Sequence, residues 1–142
     1  MSIEHMVQEG CIHPFKATRA EITKVMDLAR RDLAEAEKIK GISLDWTYSI
    51  AYNAVLQACR ALMFHMGYRP ASFEAHKSTF EFMQLVVEEQ LKPTIDYFDR
   101  ARQKRHRVTY EAVGLVSEKE TEQMLKKAKE FLEYIESKLK RK

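Results

Sequence analysis

A dense basic run lies in the last third of the chain and ends with Tyr110 and Glu111. One histidine, His106, stands among its cations, and its ordinary pKa near neutrality would let it accept or donate a proton. Arginine presents a planar fork of donors that binds two phosphate oxygens at once. The run therefore predicts a site that attracts phosphate, and a solvated helix face is the alternative interpretation. Its cations are Arg100, Arg102, Lys104, Arg105 and Arg107.

Arg105 stands inside the apolar stripe of the helix predicted here. An arginine in such a stripe destabilises the fold unless it is paired and hydrogen-bonded. We weigh two interpretations equally: Arg105 pairs with a buried carboxylate that holds two helices in register, or it has a functional role at a seam. At about 100° per residue over residues 94–110, the stripe contains Ile95 at its edge and Tyr97, Phe98, Ala101 and Val108.

A neighbouring ridge of the same helix carries a second series of polar residues. Successive members are three or four residues apart, so their side chains can touch. Arg100 projects about 160° away from Arg102 on a straight helix, toward solvent. The members of the ridge are Asp99, Arg102, His106 and Tyr110.

The composition favours an all-α protein of one domain. The chain has 142 residues, 45% of them hydrophobic, with four glycines and three prolines, which suits long helices better than sandwiches or barrels. A net charge of +3 is too small by itself to indicate nucleic-acid binding. No signal-peptide pattern occurs, and no apolar run reaches the roughly 18 residues of a membrane span. We therefore expect a cytoplasmic protein with no membrane association.

Several classes of catalytic or cofactor site lack their motifs in this sequence. There is no glycine-rich phosphate loop, no HExxH metal motif, no Cys-x-x-Cys pair and no serine nucleophile elbow. Cys11 and His13 alone make a poor zinc signature. We therefore expect no metal site and no cofactor.

Two capping boxes, Thr18 with Glu21 and Ser117 with Glu120, mark the starts of two long helices. Gly41 and Gly67 follow helical patterns that they would end. The pattern predicts an up-and-down bundle of four to five helices without strands, in which residues 1–16 are irregular and residues 17–142 form the single domain. The predicted helices cover about 18–40, 44–66, 78–91, 93–110 and 117–140, and residues 68–76 form a loop.

The second predicted helix should be the centre of the bundle. Its broad apolar surface begins with Trp46 and is rich in alanine, and small residues allow neighbouring helices to approach closely. Tyr48 and Tyr52 lie one turn apart and are expected in the core rather than in a site.

Three stretches in this order resemble the HEPN domain family, over roughly residues 18–138. The first runs from Ser49-Ile-Ala-Tyr52-Asn through Arg60 to Gly67-Tyr68, and the second is Glu74-Ala-His76-Lys77-Ser-Thr-Phe80. The third is Arg102-Gln-Lys-Arg105-His106-Arg-Val-Thr-Tyr110-Glu111, and the tail Ala128-Lys-Glu-Phe131-Leu is similar to the family's last helix.

The resemblance implies a helical bundle that pairs as a homodimer and handles RNA or nucleotide. Many HEPN domains are metal-independent endoribonucleases, including toxins of toxin–antitoxin and defence systems. Others bind nucleotide or RNA without cleavage, often as the partner of a small nucleotidyltransferase. The cleaving members carry an arginine, four to six residues and then a histidine. On this chain Arg105 takes the arginine position, His106 the polar position after it, and Tyr110 the place of the usual histidine.

These arguments give two overlapping sets of candidate residues. Arg105, His106 and Tyr110 are the candidate catalytic residues, and Arg102, Arg105 and Arg107 are the candidate phosphate- or RNA-binding residues. Three functions stay open: an endoribonuclease, a non-catalytic binding or partner module, and a purely structural interaction domain in which buried Arg105 only holds helices together. Tyr110 could be a target of nucleotide transfer in the second case.

Overall fold

The computed structural model describes residues 1–72, 75–110 and 113–140, and for Tyr110 it describes the backbone alone. Helices dominate, so the predicted all-α class is confirmed. No helix in the described ranges is long and apolar enough to cross a bilayer. The helices are α1 (Ile3–Gln8), α2 (Arg19–Lys38), α3 (Leu44–Met66), α4 (His76–Val86), α5 (Lys92–Tyr110) and α6 (Glu118–Leu139), with a 3-10 turn at Glu89–Leu91 and strands β1 (Ile12–Pro14) and β2 (Tyr68–Pro70).

Both predicted capping boxes are confirmed and fix the starts of α2 and α6. The Thr18 hydroxyl accepts from the Glu21 backbone N–H at 3.1 Å, and the Glu21 carboxylate accepts from the Thr18 N–H at 2.9 Å. Ser117 and Glu120 exchange the same pair of bonds at 3.1 Å. Helix α3 ends at Gly67, whose φ of +95° is the left-handed conformation that glycine adopts without strain.

Helix α3 is the centre of the bundle and contacts α2, α5 and α6. Its alanines at 51, 54, 58 and 61 are fully buried, as the prediction of close helix approach requires. Trp46, however, is 59% exposed and does not belong to the buried surface predicted for this helix. It lies in the first turn of α3.

The N-terminal segment differs from the irregular structure expected for residues 1–16. Met6 of α1 and Ile12 of β1 are buried in the core. Strand β1 pairs antiparallel with β2, with Ile12 opposite Pro70, although the sequence predicts a loop at 68–76 and no strand. The strands have three residues each, and prolines stand at their ends, where a missing N–H is tolerated. This pairing holds the chain a few residues before α4.

The third predicted helix, 78–91, is shorter and interrupted in the structure. Helix α4 begins earlier, at His76, and ends at Val86, and the 3-10 turn then leads into α5. Val87 and Glu88 adopt extended backbone conformations between them. The Glu88 carboxylate accepts hydrogen bonds from Tyr134 and Lys138 of α6. These bonds stabilise the interruption between the two helices, because Glu88 reaches α6 in its extended conformation.

This contact makes stability depend on pH. Hydrogen bonds from Lys138 and Tyr134 lower the pKa of Glu88 from 4.5 to about 2. A carboxyl with a lowered folded-state pKa stabilises the fold above its unfolded pKa, and the stabilisation is lost as pH falls through the folded pKa. We therefore expect the free energy of unfolding to fall more steeply between about pH 4.5 and 2 in the wild type than in Glu88→Gln, measured by urea denaturation. Exposed Glu130→Gln is the control, and parallel curves for wild type and Glu88→Gln would contradict the prediction.

Candidate functional site

A basic cavity of about 610 Å³ opens between the start of α4 and the C-terminal half of α5. Four of its lining side chains are lysine or arginine, two are imidazoles and one is an amide, and no carboxylate is among the described lining residues. A concave surface with one sign of charge concentrates ions of the opposite sign. The cavity is therefore suited to an anion. Its lining residues are His76, Lys77, Arg102, Gln103, Arg105, His106 and Arg107.

The buried stripe of α5 orients this cavity wall. Phe98, Ala101 and Val108 are buried as predicted, and Ile95, expected at the edge of the stripe, is also fully buried. Phe98 packs edge-to-face against Phe131 of α6, with ring centroids 5.3 Å apart. With this face against the core, five polar residues of α5 line the cavity: Arg102, Gln103, Arg105, His106 and Arg107. Lys104, which does not line it, forms an ion pair with Glu120 at the start of α6.

Arg105 lies over the ring of Tyr52 rather than against a carboxylate. Its guanidinium carbon is 5.8 Å from the centroid of that ring, within the range of cation–π attraction. Its Nε is buried and has no hydrogen-bond partner in the described part of the chain. No ion pair joins Arg105 to a carboxylate among the described residues. The pair with a buried carboxylate that was considered from the sequence is therefore not found in this part of the chain. A buried N–H without a partner costs free energy, so no internal hydrogen bond from this nitrogen among the described residues explains the position of Arg105.

Tyr52 also contacts His76, across the gap between α3 and α4. The Tyr52 hydroxyl and His76 Nδ1 are 3.0 Å apart, and the ring centroids are 5.8 Å apart. Burial raises the pKa of Tyr52, although the Arg105 cation acts in the opposite direction, so the hydroxyl stays protonated at neutral pH. Tyr52 therefore orients two groups of the cavity at once, the guanidinium of Arg105 and the imidazole of His76.

The structure brings together most of the residues singled out from the sequence. On the predicted ridge, Arg102 Nε lies 3.2 Å from the Asp99 carboxylate. His106 is exposed, and Arg100 is exposed and does not line the cavity, as its helical position predicts. The side chain of Tyr110 lies outside the described residues, as do Glu74 and Glu111. The candidates that share the cavity are Arg102, Arg105, His106 and Arg107.

Sequence reasoning missed His76 and Tyr52 as members of the site. Tyr52 was assigned to the core, which is correct for its ring but leaves out its hydroxyl. His76 entered only as part of the HEPN-like pattern. The two residues lie 24 positions apart on different helices, so helical periodicity gives no signal for their contact.

A second cavity, of about 710 Å³, lies on the other side of Arg105, which lines both. It contains carboxylates, unlike the basic cavity. The Asp32 carboxylate accepts from Arg31 at 2.8 Å and from the Asn53 amide at 2.9 Å. Exposed Trp46 lines the same cavity. Arg105 thus separates a basic surface from a mixed surface with an exposed aromatic ring.

The Tyr52 contact gives a stability prediction. Tyr52→Phe keeps the ring under Arg105 but removes the hydroxyl from His76. We expect the free energy of unfolding to fall by about 1 kcal/mol, the net contribution of one hydrogen bond, and the ring signals of His76 to shift in the NMR spectrum. Circular dichroism checks that the helices persist. Unchanged stability together with unchanged His76 signals would show that the contact is absent in solution.

Comparison with known proteins agrees with the pattern read from the sequence. The family model for the HEPN domain matches residues 22–138, which include α3 to α5, most of α2 and α6, and every residue that lines the basic cavity. No curated protein and no solved structure shows significant similarity to the chain. Because the match covers most of the chain, the resemblance is confirmed. The chain belongs to the HEPN domain family.

Proposed function

We propose that the basic cavity binds the phosphate groups of RNA. The observation that carries the proposal is the composition of the cavity: four lysine or arginine side chains, two imidazoles and no carboxylate among its described lining residues. Membership of the HEPN family supports a nucleotide- or RNA-related function in general. Arginine and lysine contacts to phosphate supply most of the sequence-independent affinity of proteins for nucleic acid.

Arg105 is the central contact in this proposal. Its Nε is buried and unpaired among the described residues, and Tyr52 holds its guanidinium from one side. Arg105 also lines the cavity, where the charge of its guanidinium would attract a phosphate and form charge-assisted hydrogen bonds with its oxygens. Binding would then gain from a guanidinium that Tyr52 already holds in position.

The distribution of charge favours a polymer over a single phosphate. The lining cations lie on two helices, from Lys77 on α4 to Arg107 on α5, and Arg107 and His106 are exposed at the rim. Successive phosphates of a strand can contact such a spread of cations, whereas one phosphate cannot. We therefore take single-stranded RNA as the ligand, and free nucleotide as the alternative that the binding assay distinguishes.

RNA binding by the cavity can be tested with fluorescently labelled single-stranded RNA in EDTA. We expect Arg105→Ala to weaken binding at least roughly tenfold, the effect of losing a charge-assisted contact, and to reduce the slope of log affinity against log salt by about 0.7. Arg19→Ala, an exposed arginine outside the cavity, is the matched control. Equal affinity of folded Arg105→Ala and wild type for both RNA and nucleotide would refute the proposal.

Metal-independent endoribonuclease activity is a second candidate, favoured by the position of His106 beside Arg102 and Arg105 in the cavity. Cleavage without a metal needs a base, an acid and a cation that stabilises the phosphorane charge. A toxin role requires this activity, whereas a partner module of a small nucleotidyltransferase requires binding alone. Tyr110 in place of the usual histidine makes the histidines of the cavity the groups on which cleavage would depend.

We also propose that the chain pairs as a homodimer, with the surface around Trp46 at the seam. Trp46 is exposed although it is large and apolar, and it lines the cavity that shares Arg105. Burying this ring against a second copy would remove apolar surface from water beside the proposed RNA site.

Sedimentation velocity tests the dimer. We expect wild type to sediment as a dimer and Trp46→Ser to shift toward monomer, because the seam loses its largest apolar contact. Leu85→Ser on α4, also exposed but outside both cavities, should leave the dimer intact. A wild type that sediments as a monomer at high micromolar concentration would contradict the dimer.

A further inference from the structure

We propose that His76 is a second catalytic histidine, which forms an acid–base pair with His106 in the cleavage of RNA. This inference rests on the proposed binding of RNA phosphate by the basic cavity. It concerns a residue from outside the arginine-rich helix, brought to the cavity by the packing of α4 against α5.

The two imidazoles approach the cavity from different helices. His76 is the first residue of α4, and His106 lies in the C-terminal half of α5, yet both line one cavity of about 610 Å³. Arg102 and Arg105 line it as well. A phosphodiester bound there would lie beside two imidazoles that can exchange protons and two guanidinium groups that can stabilise negative charge. These are the components that metal-free cleavage of RNA requires.

The reaction that this arrangement supports is an internal transesterification. One neutral imidazole takes the proton of the 2′-hydroxyl as the 2′ oxygen forms a bond to phosphorus. The other, protonated imidazole gives its proton to the 5′ oxygen as the bond from phosphorus to that oxygen breaks. The products are a 2′,3′-cyclic phosphate and a 5′-hydroxyl, and the two histidines have exchanged protonation states. Arg105 stabilises the phosphorane charge between these two events.

Tyr52 gives His76 the fixed orientation that an acid or base needs. The Tyr52 hydroxyl is 3.0 Å from Nδ1, so the ring plane is set by a buried residue of the core. Catalytic bases are commonly held by a third group in this way. We assign proton exchange to the imidazole ring of His76. Tyr52 is a positioning residue in this scheme.

Imidazole is the side chain whose ordinary pKa lies near neutrality, and two imidazoles line the cavity. Lysine and arginine stay protonated over roughly pH 5 to 9, and burial raises the pKa of Tyr52 beyond this range. Asp99 is ion-paired with Arg102. The pH dependence of cleavage in this range should therefore arise from two imidazoles. The other ionisable groups at the cavity and beside Tyr52, among the described residues, are Cys59, Arg60, Lys77, Asp99, Arg102, Arg105 and Arg107.

The test is the pH–rate profile for cleavage of end-labelled RNA in EDTA. Wild type should give a bell-shaped profile, since one imidazole must be neutral and the other protonated. His76→Asn and His106→Asn should each lower kcat by about 100-fold or more. One variant should lose the acidic side of the bell-shaped profile and the other the basic side. Asparagine places an amide near the position of Nδ1, so it keeps a partner for Tyr52 while it removes the titrating ring. His5→Asn, an exposed histidine outside the cavity, should leave the profile unchanged.

Binding of the same RNA, measured on the same samples, separates this inference from the function on which it rests. Binding without cleavage by wild type would overturn the histidine pair and leave the RNA-binding proposal standing. No binding would overturn both. A wild-type bell shape retained in His76→Asn, whatever its amplitude, would assign His76 a structural role and overturn the inference.

Discussion

The site depends on the contact between Arg105 and the ring of Tyr52. A guanidinium in the apolar stripe of α5 needs a neighbour that tolerates its charge, and the face of an aromatic ring supplies one without supplying a negative charge. A carboxylate in the same place would neutralise Arg105 and compete with any anion. Because Tyr52 occupies that place, Arg105 is held in position while its Nε stays unpaired among the described residues. The binding of a negatively charged ligand that we propose for Arg105 rests on that combination.

The bundle around this contact serves to hold three helices at fixed positions. Tyr52 belongs to α3, whose fully buried alanines bring the neighbouring helices close to the centre. The edge-to-face contact of Phe98 with Phe131 holds the buried side of α5 against α6. The short pairing of β1 with β2 lies a few residues before α4, whose first residue, His76, lines the cavity. Each contact is ordinary packing, and together they set the distance from Tyr52 to both its partners.

Much of this architecture could be read from the sequence because its signals are local. Capping boxes place the starts of α2 and α6 within a few residues, and helical spacing identifies the buried face of α5. The contacts that the sequence did not reveal join distant positions. The pairing of residues 12–14 with 68–70 has too few residues to produce an alternating pattern. The break at Glu88 depends on Tyr134 and Lys138 of α6, and the contact of Tyr52 with His76 joins two helices. Arg105 was identified from the sequence as out of place in an apolar stripe, but which partner resolves the conflict depends on tertiary structure.

The central claim is that the guanidinium of Arg105 binds a phosphate of RNA. The most direct measurement is a titration of the protein with single-stranded RNA, followed in an NMR spectrum selective for arginine Nε–H groups. The Arg105 signal is assigned by its loss in Arg105→Lys, and the Arg19 signal is the internal reference. The account predicts that the Arg105 signal shifts on RNA addition and exchanges more slowly with water, while the Arg19 signal stays in place. An Arg105 signal that does not change at an RNA concentration that saturates binding would contradict it.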